Sequence, residues 1–231
     1  MEKIIPPEHV ALIPDGNRRW ARSHSRVLLQ SYKLGIEKFI TFATWSKEFG
    51  VKTITVWALS TENLKGRTRF ELRVLFDLYT RYAKDKVLYA MLKANGARVR
   101  VIGDIAHLPR KLQEALAELE RKTADFHSMT INMLINYGGQ EDIVYSINRL
   151  KASGVKHIDR ELIKRNLRSA ALPEVDLIVR TSGEQRLSGL LPWQTAYSEL
   201  YFAKKYWPDF RKADFKKAIL EFSRRQRRFG K

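Results

Sequence analysis

Three short stretches of this sequence concentrate side chains that bind phosphate and hard cations. The first is Pro14-Asp15-Gly16-Asn17-Arg18-Arg19-Trp20. The second is Ser60-Thr61-Glu62-Asn63. The third runs Arg180-Thr181-Ser182-Gly183-Glu184-Gln185-Arg186-Leu187-Ser188. Together they supply carboxylates, arginines, hydroxyls and amides. Arginine offers phosphate a planar fork of donors, and a carboxylate can share a hard cation with phosphate oxygens. Backbone N–H groups that open a helix after Asp15 would add an anion site. Each stretch also has a plainer reading. Asp-Gly-Asn is a common turn, and Asp15 suits a helix cap. Residues 60–63 suit a capped strand-to-loop turn, and residues 180–188 an exposed loop with surface ion pairs. Taken singly, none of the three decides between binding and turn chemistry.

Their placement carries more. Each stretch follows directly on an apolar, β-branched run that predicts a strand: residues 9–13, 51–59 and 175–179. Further strands are expected at 98–102, nearer a sheet edge because of its alternating basic residues, at 129–136, and at 200–202. Helices are expected at 33–49, 70–94, 108–126, from about 141, at 159–170 and at 212–224. Strand and helix alternate throughout, which predicts an α/β fold with a parallel sheet covered on both faces. Ligands of such sheets sit at the carboxyl ends of the strands. The three polar stretches are thus expected on one rim. No internal repeat, low-complexity tract or linker divides the chain, so residues 1–231 are expected to form a single domain.

Composition bounds the reading. The chain has 231 residues with 44% hydrophobic and 11% aromatic content, which suits a globular core rather than disorder. Cysteine is absent, so disulfides and thiolate metal sites are excluded. No uncharged apolar run reaches about 18 residues, and the start lacks an apolar signal-peptide segment, so a cytoplasmic protein is expected. The formal net charge of +18 suits nucleic acid, anionic lipid or a polyphosphate substrate. Much of that charge lies near the C-terminus, where it also fits a solvated basic helix face. Phosphate-loop and dinucleotide glycine signatures are missing, and the five histidines lack metal-ligand spacing.

Three ordered motifs give the sequence a family resemblance. HVALIPDGNRRWAR, WALSTENL and DLIVRTSGEQRLSGLLPWQTAYSELYF, with NYGG at Asn136, resemble the motifs of the cis-prenyltransferases, the undecaprenyl- and dehydrodolichyl-diphosphate synthases. The likeness runs from His9 to Gly230, and the DGNRR form is similar to archaeal and eukaryotic members. The resemblance implies a central six-stranded parallel sheet, an obligate homodimer and a hydrophobic tunnel for a growing prenyl chain. It implies condensation of isopentenyl diphosphate with an allylic prenyl diphosphate to give a Z-polyprenyl diphosphate, with Mg2+ as cofactor. It also implies roles. Asp15 would be catalytic and bind Mg2+, with Glu199 as second metal ligand. Gly16, Asn17, Arg18 and Arg19 would cradle the allylic diphosphate, with Trp20 beside it. Asn63 falls where the family's proposed proton acceptor lies, although an amide is a poor base, and Ser60, Thr61, Glu62 and Arg67 surround it. Arg180, Arg186, Leu187 and Ser188 would hold isopentenyl diphosphate. Arg228 and Gly230 match an Arg-x-Gly motif that reaches the partner's site.

The sequence departs from the bacterial pattern at Leu28 and Tyr32, where Arg and His are usual, and at Leu64, where an aromatic is usual. These changes bear on primer choice. Ala58 and Met129 fall at tunnel-lining positions of relatives, and the small Ala58 favours a long product. The alternatives are a short-chain Z-prenyl diphosphate synthase and a non-catalytic subunit of a heteromeric synthase. The presence of both Asp15 and the Arg-x-Gly tail favours the self-sufficient homodimer. A nucleic-acid module is disfavoured because its motifs are missing. Transient contact with a membrane is expected, because the product is so hydrophobic.

Overall fold

The computed structural model describes residues 4–225. Six strands form one sheet: β1 (His9–Ile13), β2 (Thr53–Ser60), β3 (Ala97–Ile102), β4 (Met129–Tyr137), β5 (Leu177–Arg180) and β6 (Glu199–Phe202). Their spatial order is β3-β4-β2-β1-β5-β6, with every neighbouring pair parallel. The described helices are α1 (Asn17–Ser23), α2 (Leu28–Glu48), α3 (Thr61–Gly66), α4 (Arg69–Ala83), α5 (Lys86–Asn95), α6 (Arg110–Thr123), α7 (Gly139–Ala152), α8 (Arg160–Asn166) and α9 (Lys212–Arg224). None of the helices described is long and apolar enough to cross a membrane.

The strands are apolar on alternate and opposite faces because both faces are covered. Val10 and Leu12 join a core with Phe42 and Ala43 of α2 and with Phe215, Ala218, Ile219 and Phe222 of α9. Ala11 and Ile13, one residue out of phase, join a second core with Leu134, Ile178, Leu190 and Leu191. A third cluster packs Leu75, Leu78 and Tyr79 of α4 against Leu112 and Leu116 of α6 over Leu59 and Ile135. This period-two burial on both sides is the pattern of a doubly covered parallel sheet.

The helix expected over 70–94 is two helices. Its apolar spacing runs on without a glycine or proline, but Asp85 turns extended (φ −72°, ψ 124°) and its side chain caps α5 by accepting from the Leu88 N–H at 2.7 Å. A capping aspartate offers the backbone an alternative to continuing the helix. The basic strand β3 is an edge strand, as its composition suggests.

Chain direction places the site. From β1 the chain passes outward to β2 and β3 and returns to β4, then crosses to the other side of β1 for β5 and β6. The crevice between the carboxyl ends of β1 and β5, where Ile13 lies opposite Arg180, is the topological switch point of the sheet.

Candidate active site

Asp15 follows β1 by two residues and is fixed by its main chain. Its carbonyl accepts from the Thr181 hydroxyl at 2.8 Å and from the Trp207 N–H at 3.0 Å, tying the loop to the segments that follow β5 and β6. Gly16 makes the turn into α1 at φ 99°, and a Cβ there would lie 2.7 Å from the Tyr206 ring. Only glycine satisfies both demands cheaply.

The Asp15 carboxylate is shared between two arginines. Oδ2 accepts from Arg180 Nη2 at 3.0 Å, and Oδ1 lies 3.3 Å from Arg19 Nη2 while accepting from the Gly16 N–H at 2.6 Å. Arg180 is only 5% exposed. Its other amine donates to Ser188 Oγ at 2.9 Å and to the Arg186 carbonyl, and its Nε has no hydrogen-bond partner among the described residues. Arg19 continues to Glu184 at 2.6 Å, and Glu184 meets Arg186 at 2.5 Å. Hydrogen bonds from Arg19 and Arg186 hold the Glu184 carboxyl below its usual range, so it stays ionised between them. The first and third polar stretches are therefore one ion-paired network.

The second stretch borders the same opening. Ser60, Glu62 and Asn63 line it, with the Ser60 hydroxyl capping α3 by accepting from the Asn63 N–H at 3.0 Å. Arg67 lies over the Tyr32 ring at 5.4 Å from its centroid. The Tyr32 hydroxyl, Arg67 Nε and Asn17 Oδ1 are buried without partners among the described residues, and all three residues line the opening. Burial pushes the Tyr32 phenol up, so it remains a neutral donor. Unsatisfied polar groups facing a cavity are groups waiting for a ligand or water.

Below this rim an apolar cavity of about 670 Å³ runs between the sheet and α2, α4 and α5. Its volume is in the range of small-molecule sites, about 300–1,000 Å³. Ile36, Phe39 and Ile40 of α2 form one wall, Tyr79, Tyr82, Leu88 and Met91 another, and Val56, Ile131 and Met133 the sheet side. Ala58 lines it as expected, with the Tyr79 hydroxyl donating to its carbonyl at 2.8 Å. Such a site suits an amphiphile with an anionic head and a long apolar chain.

Several residues sit elsewhere than the sequence suggests. Trp20 is not among the lining residues: its indole N–H donates to Asp209 at 2.9 Å and its ring stacks on His24. Leu187 packs against the core beneath β5, and Thr61 turns towards Gly138. Met129 is buried in the core at the start of β4 and does not line the cavity. Glu199 opens β6 opposite Leu177, three residues before the pair Arg180–Phe202 at the rim, and its carboxylate accepts from Arg225 at 2.8 Å. Three residues of strand span roughly 10 Å, so Glu199 and Asp15 of one chain do not share a site. Arg228 and Gly230 lie outside the described residues. Conversely, Tyr32, Gly35 and Tyr206 border the Asp15 loop without having been marked as site residues. Tyr32 stood out only as a departure from a motif, and nothing local marks the other two.

Comparison with known proteins agrees with this geometry. The family model described as putative undecaprenyl diphosphate synthase matches residues 13–230. The tritrans,polycis-undecaprenyl-diphosphate synthase (geranylgeranyl-diphosphate specific) of Picrophilus torridus is 41% identical, covering 100% of this chain and 92% of its own. The isoprenyl transferase of Thermotoga maritima is 40% identical, covering 97% of each. Among solved structures, lavandulyl diphosphate synthase from Lavandula x intermedia in complex with dimethylallyl diphosphate superposes with a TM-score of 0.92 at 31% identity, over 98% of this chain and 99% of that one. With matched motifs, a shared sheet and an arginine-rich rim above an apolar cavity, this chain belongs to the undecaprenyl diphosphate synthase family and is a prenyltransferase.

Proposed function

We propose that the chain condenses isopentenyl diphosphate with an allylic prenyl diphosphate and releases a Z-polyprenyl diphosphate. The observation that carries this reading is the Asp15–Arg180 pair at the switch point, directly over the mouth of the apolar cavity. The C1–O bond of the allylic primer breaks as the isopentenyl double bond attacks C1, a new C–C bond forms, and a proton leaves the isopentenyl carbon skeleton. Negative charge develops on the departing diphosphate. Gly16, Asn17, Arg18 and Arg19 are assigned to that group, with Arg67 and the Tyr32 hydroxyl beside it. Arg180, Arg186 and Ser188 are assigned to the isopentenyl diphosphate. Preset donors at the point where charge appears lower the barrier without reorganisation. Asn63 is assigned an orienting role, because an amide is too weak a base; the departing diphosphate is basic enough to accept the proton.

The donor set fits Mg2+ shared with substrate. No cluster of three or more acidic or histidine side chains that could hold a metal occurs among the described residues. Mg2+ bound through one or two carboxylates plus substrate phosphates is common, and Asp15 supplies one carboxylate at the rim, half-exposed beside two arginines. When bound there, the ion would neutralise charge on the diphosphate oxygens. Glu199 could serve a rim only across a dimer, which links that metal assignment to the proposed homodimer. Exposed Val144 and Ile147, one turn apart on α7, and the position of β6 at the edge of the sheet support such an interface.

The primer is proposed to be a preformed allylic chain, in line with the geranylgeranyl-diphosphate specificity in the name of the Picrophilus relative. Product length follows from the cavity's depth. Purified protein incubated with Mg2+, labelled isopentenyl diphosphate and C10, C15 or C20 allylic diphosphates should yield a ladder of longer prenyl diphosphates. Absence of product from every primer would sink the reading.

A further inference from the structure

Two helices begin side by side at the cavity mouth. α2 starts after Val27, and α4 starts after Thr68. Arg67, just before α4, lies over the Tyr32 ring of α2, and Arg18 of the neighbouring α1 pairs with Glu71 of α4 at 3.7 Å. Helix first turns at such a place usually present polar groups to water. Here Val27 is 62% exposed, Leu29 49% and Phe70 73%. Leu28, between two of them, instead turns inward to the cluster that contains Leu64 and Leu72. The protruding apolar side chains are therefore a choice of face and not an overflow of the core.

The surrounding charge has one dominant sign. Arg22, Arg26, Lys65, Arg69 and Arg73 are exposed, and no ion pair involves them among the described residues. The acids nearby are Glu62, exposed, Glu71, already paired with Arg18, and Asp77, exposed one turn beyond Arg73, against five exposed cations. The first turn of α2 carries no acid, so its positive helix end is uncompensated. Apolar side chains ringed by unpaired cations match an anionic lipid surface: the former enter the acyl boundary and the latter meet headgroup phosphates.

We propose that this mouth docks on an anionic bilayer, with Val27, Leu29 and Phe70 inserted and the surrounding arginines at headgroup level. The proposal rests on reading the cavity as a site for a prenyl chain. Docked in this pose, the cavity opens towards the apolar phase, so a chain too hydrophobic for water passes between enzyme and bilayer without crossing solvent. The occupant is a lipid surface rather than a nucleic acid, since phosphate backbones gain nothing from exposed Val and Phe while acyl chains do.

The test is vesicle flotation with the full chain. Protein should float with vesicles of phosphatidylglycerol and phosphatidylcholine and remain behind with phosphatidylcholine alone. Val27→Ser/Phe70→Ser and Arg26→Glu/Arg73→Glu should each weaken flotation at least about tenfold, while single-turnover rates with a short soluble primer stay unchanged. A chain lacking residues 226–231 should float as the parent does. The proposal is overturned if the parent ignores anionic vesicles, if the Val27/Phe70 variant floats as well as the parent, or if only removal of the tail abolishes binding. Flotation is read without turnover, so a protein that docks but makes no product refutes the proposed reaction and leaves the docking face standing.

Discussion

Arg180 reaches across the β1–β5 pair to place Nη2 3.0 Å from Asp15 Oδ2, joining residues 165 apart in the chain at the point where the strand order reverses. A buried guanidinium that keeps Nε free while holding a half-exposed carboxylate is set to exchange partners when a diphosphate arrives. Loss of that carboxylate separates two effects. Asp15→Ala should lower turnover by about a thousandfold or more. It should also cost about 1–2 kcal/mol of stability, because Arg180 loses one of its hydrogen-bonded partners. Asp15→Asn should lose turnover equally and keep most of the stability. Steady-state rates and urea melts of both variants measure this, and near-normal turnover in either would refute the site.

Ala58 is the smallest side chain on the sheet wall of the cavity, and its carbonyl is anchored by Tyr79. Filling the space beside it should stop the chain earlier. Ala58→Leu is expected to shift the product ladder to shorter species while initial rates with a short primer change less than about threefold. Reverse-phase sizing of products checks this, and an unchanged ladder would place the length limit elsewhere.

Gly35 lets α2 approach the Asp15 loop. A Cβ at this position would lie 2.7 Å from Asn17 Oδ1, and the Gly35 carbonyl accepts from the Trp207 indole at 2.8 Å. Gly35→Ala gains helix propensity of about 1 kcal/mol, yet must displace Asn17. We expect little net change in melting temperature and a KM for the allylic primer raised roughly tenfold, about 1.4 kcal/mol. A KM equal to the parent's would show that Asn17 does not touch the primer.

His9 should make stability depend on pH. It is 1% exposed; Nδ1 faces the Pro173 and Glu174 carbonyls at 3.1 and 3.2 Å, and Nε2 lies 2.8 Å from the Thr55 hydroxyl. Burial pushes its pKa below 6.5, against hydrogen bonds that act the other way. The unfolded chain therefore binds the proton first, and folding stability from this group falls as pH drops below about 6.5. Urea midpoints of the parent should decline from pH 7.5 to 5.5 more steeply than those of His9→Gln, which starts lower but stays flatter. Parallel declines would remove His9 as the cause.

The sequence by itself determined the sheet and the end of it at which the polar stretches gather. Runs such as HVALI alternate between two buried faces, and the polar stretches begin where those runs end; chain direction in a parallel sheet then sends them to one rim. It also determined the family, because the motifs are local and ordered. Tertiary structure alone decided the partners. Nothing near Asp15 in the chain names Arg180, and Tyr32 meets Arg67 only because α2 and α4 start side by side. It separated Glu199 from Asp15: Glu199 opens its strand, so it lies at the amino end, while Asp15 follows its strand and lies at the carboxyl end. It also turned Trp20 to Asp209 and split α4 from α5 at Asp85. Residue type and period fix which face is buried, but register, strand direction and capping contacts between distant segments fix which groups can touch.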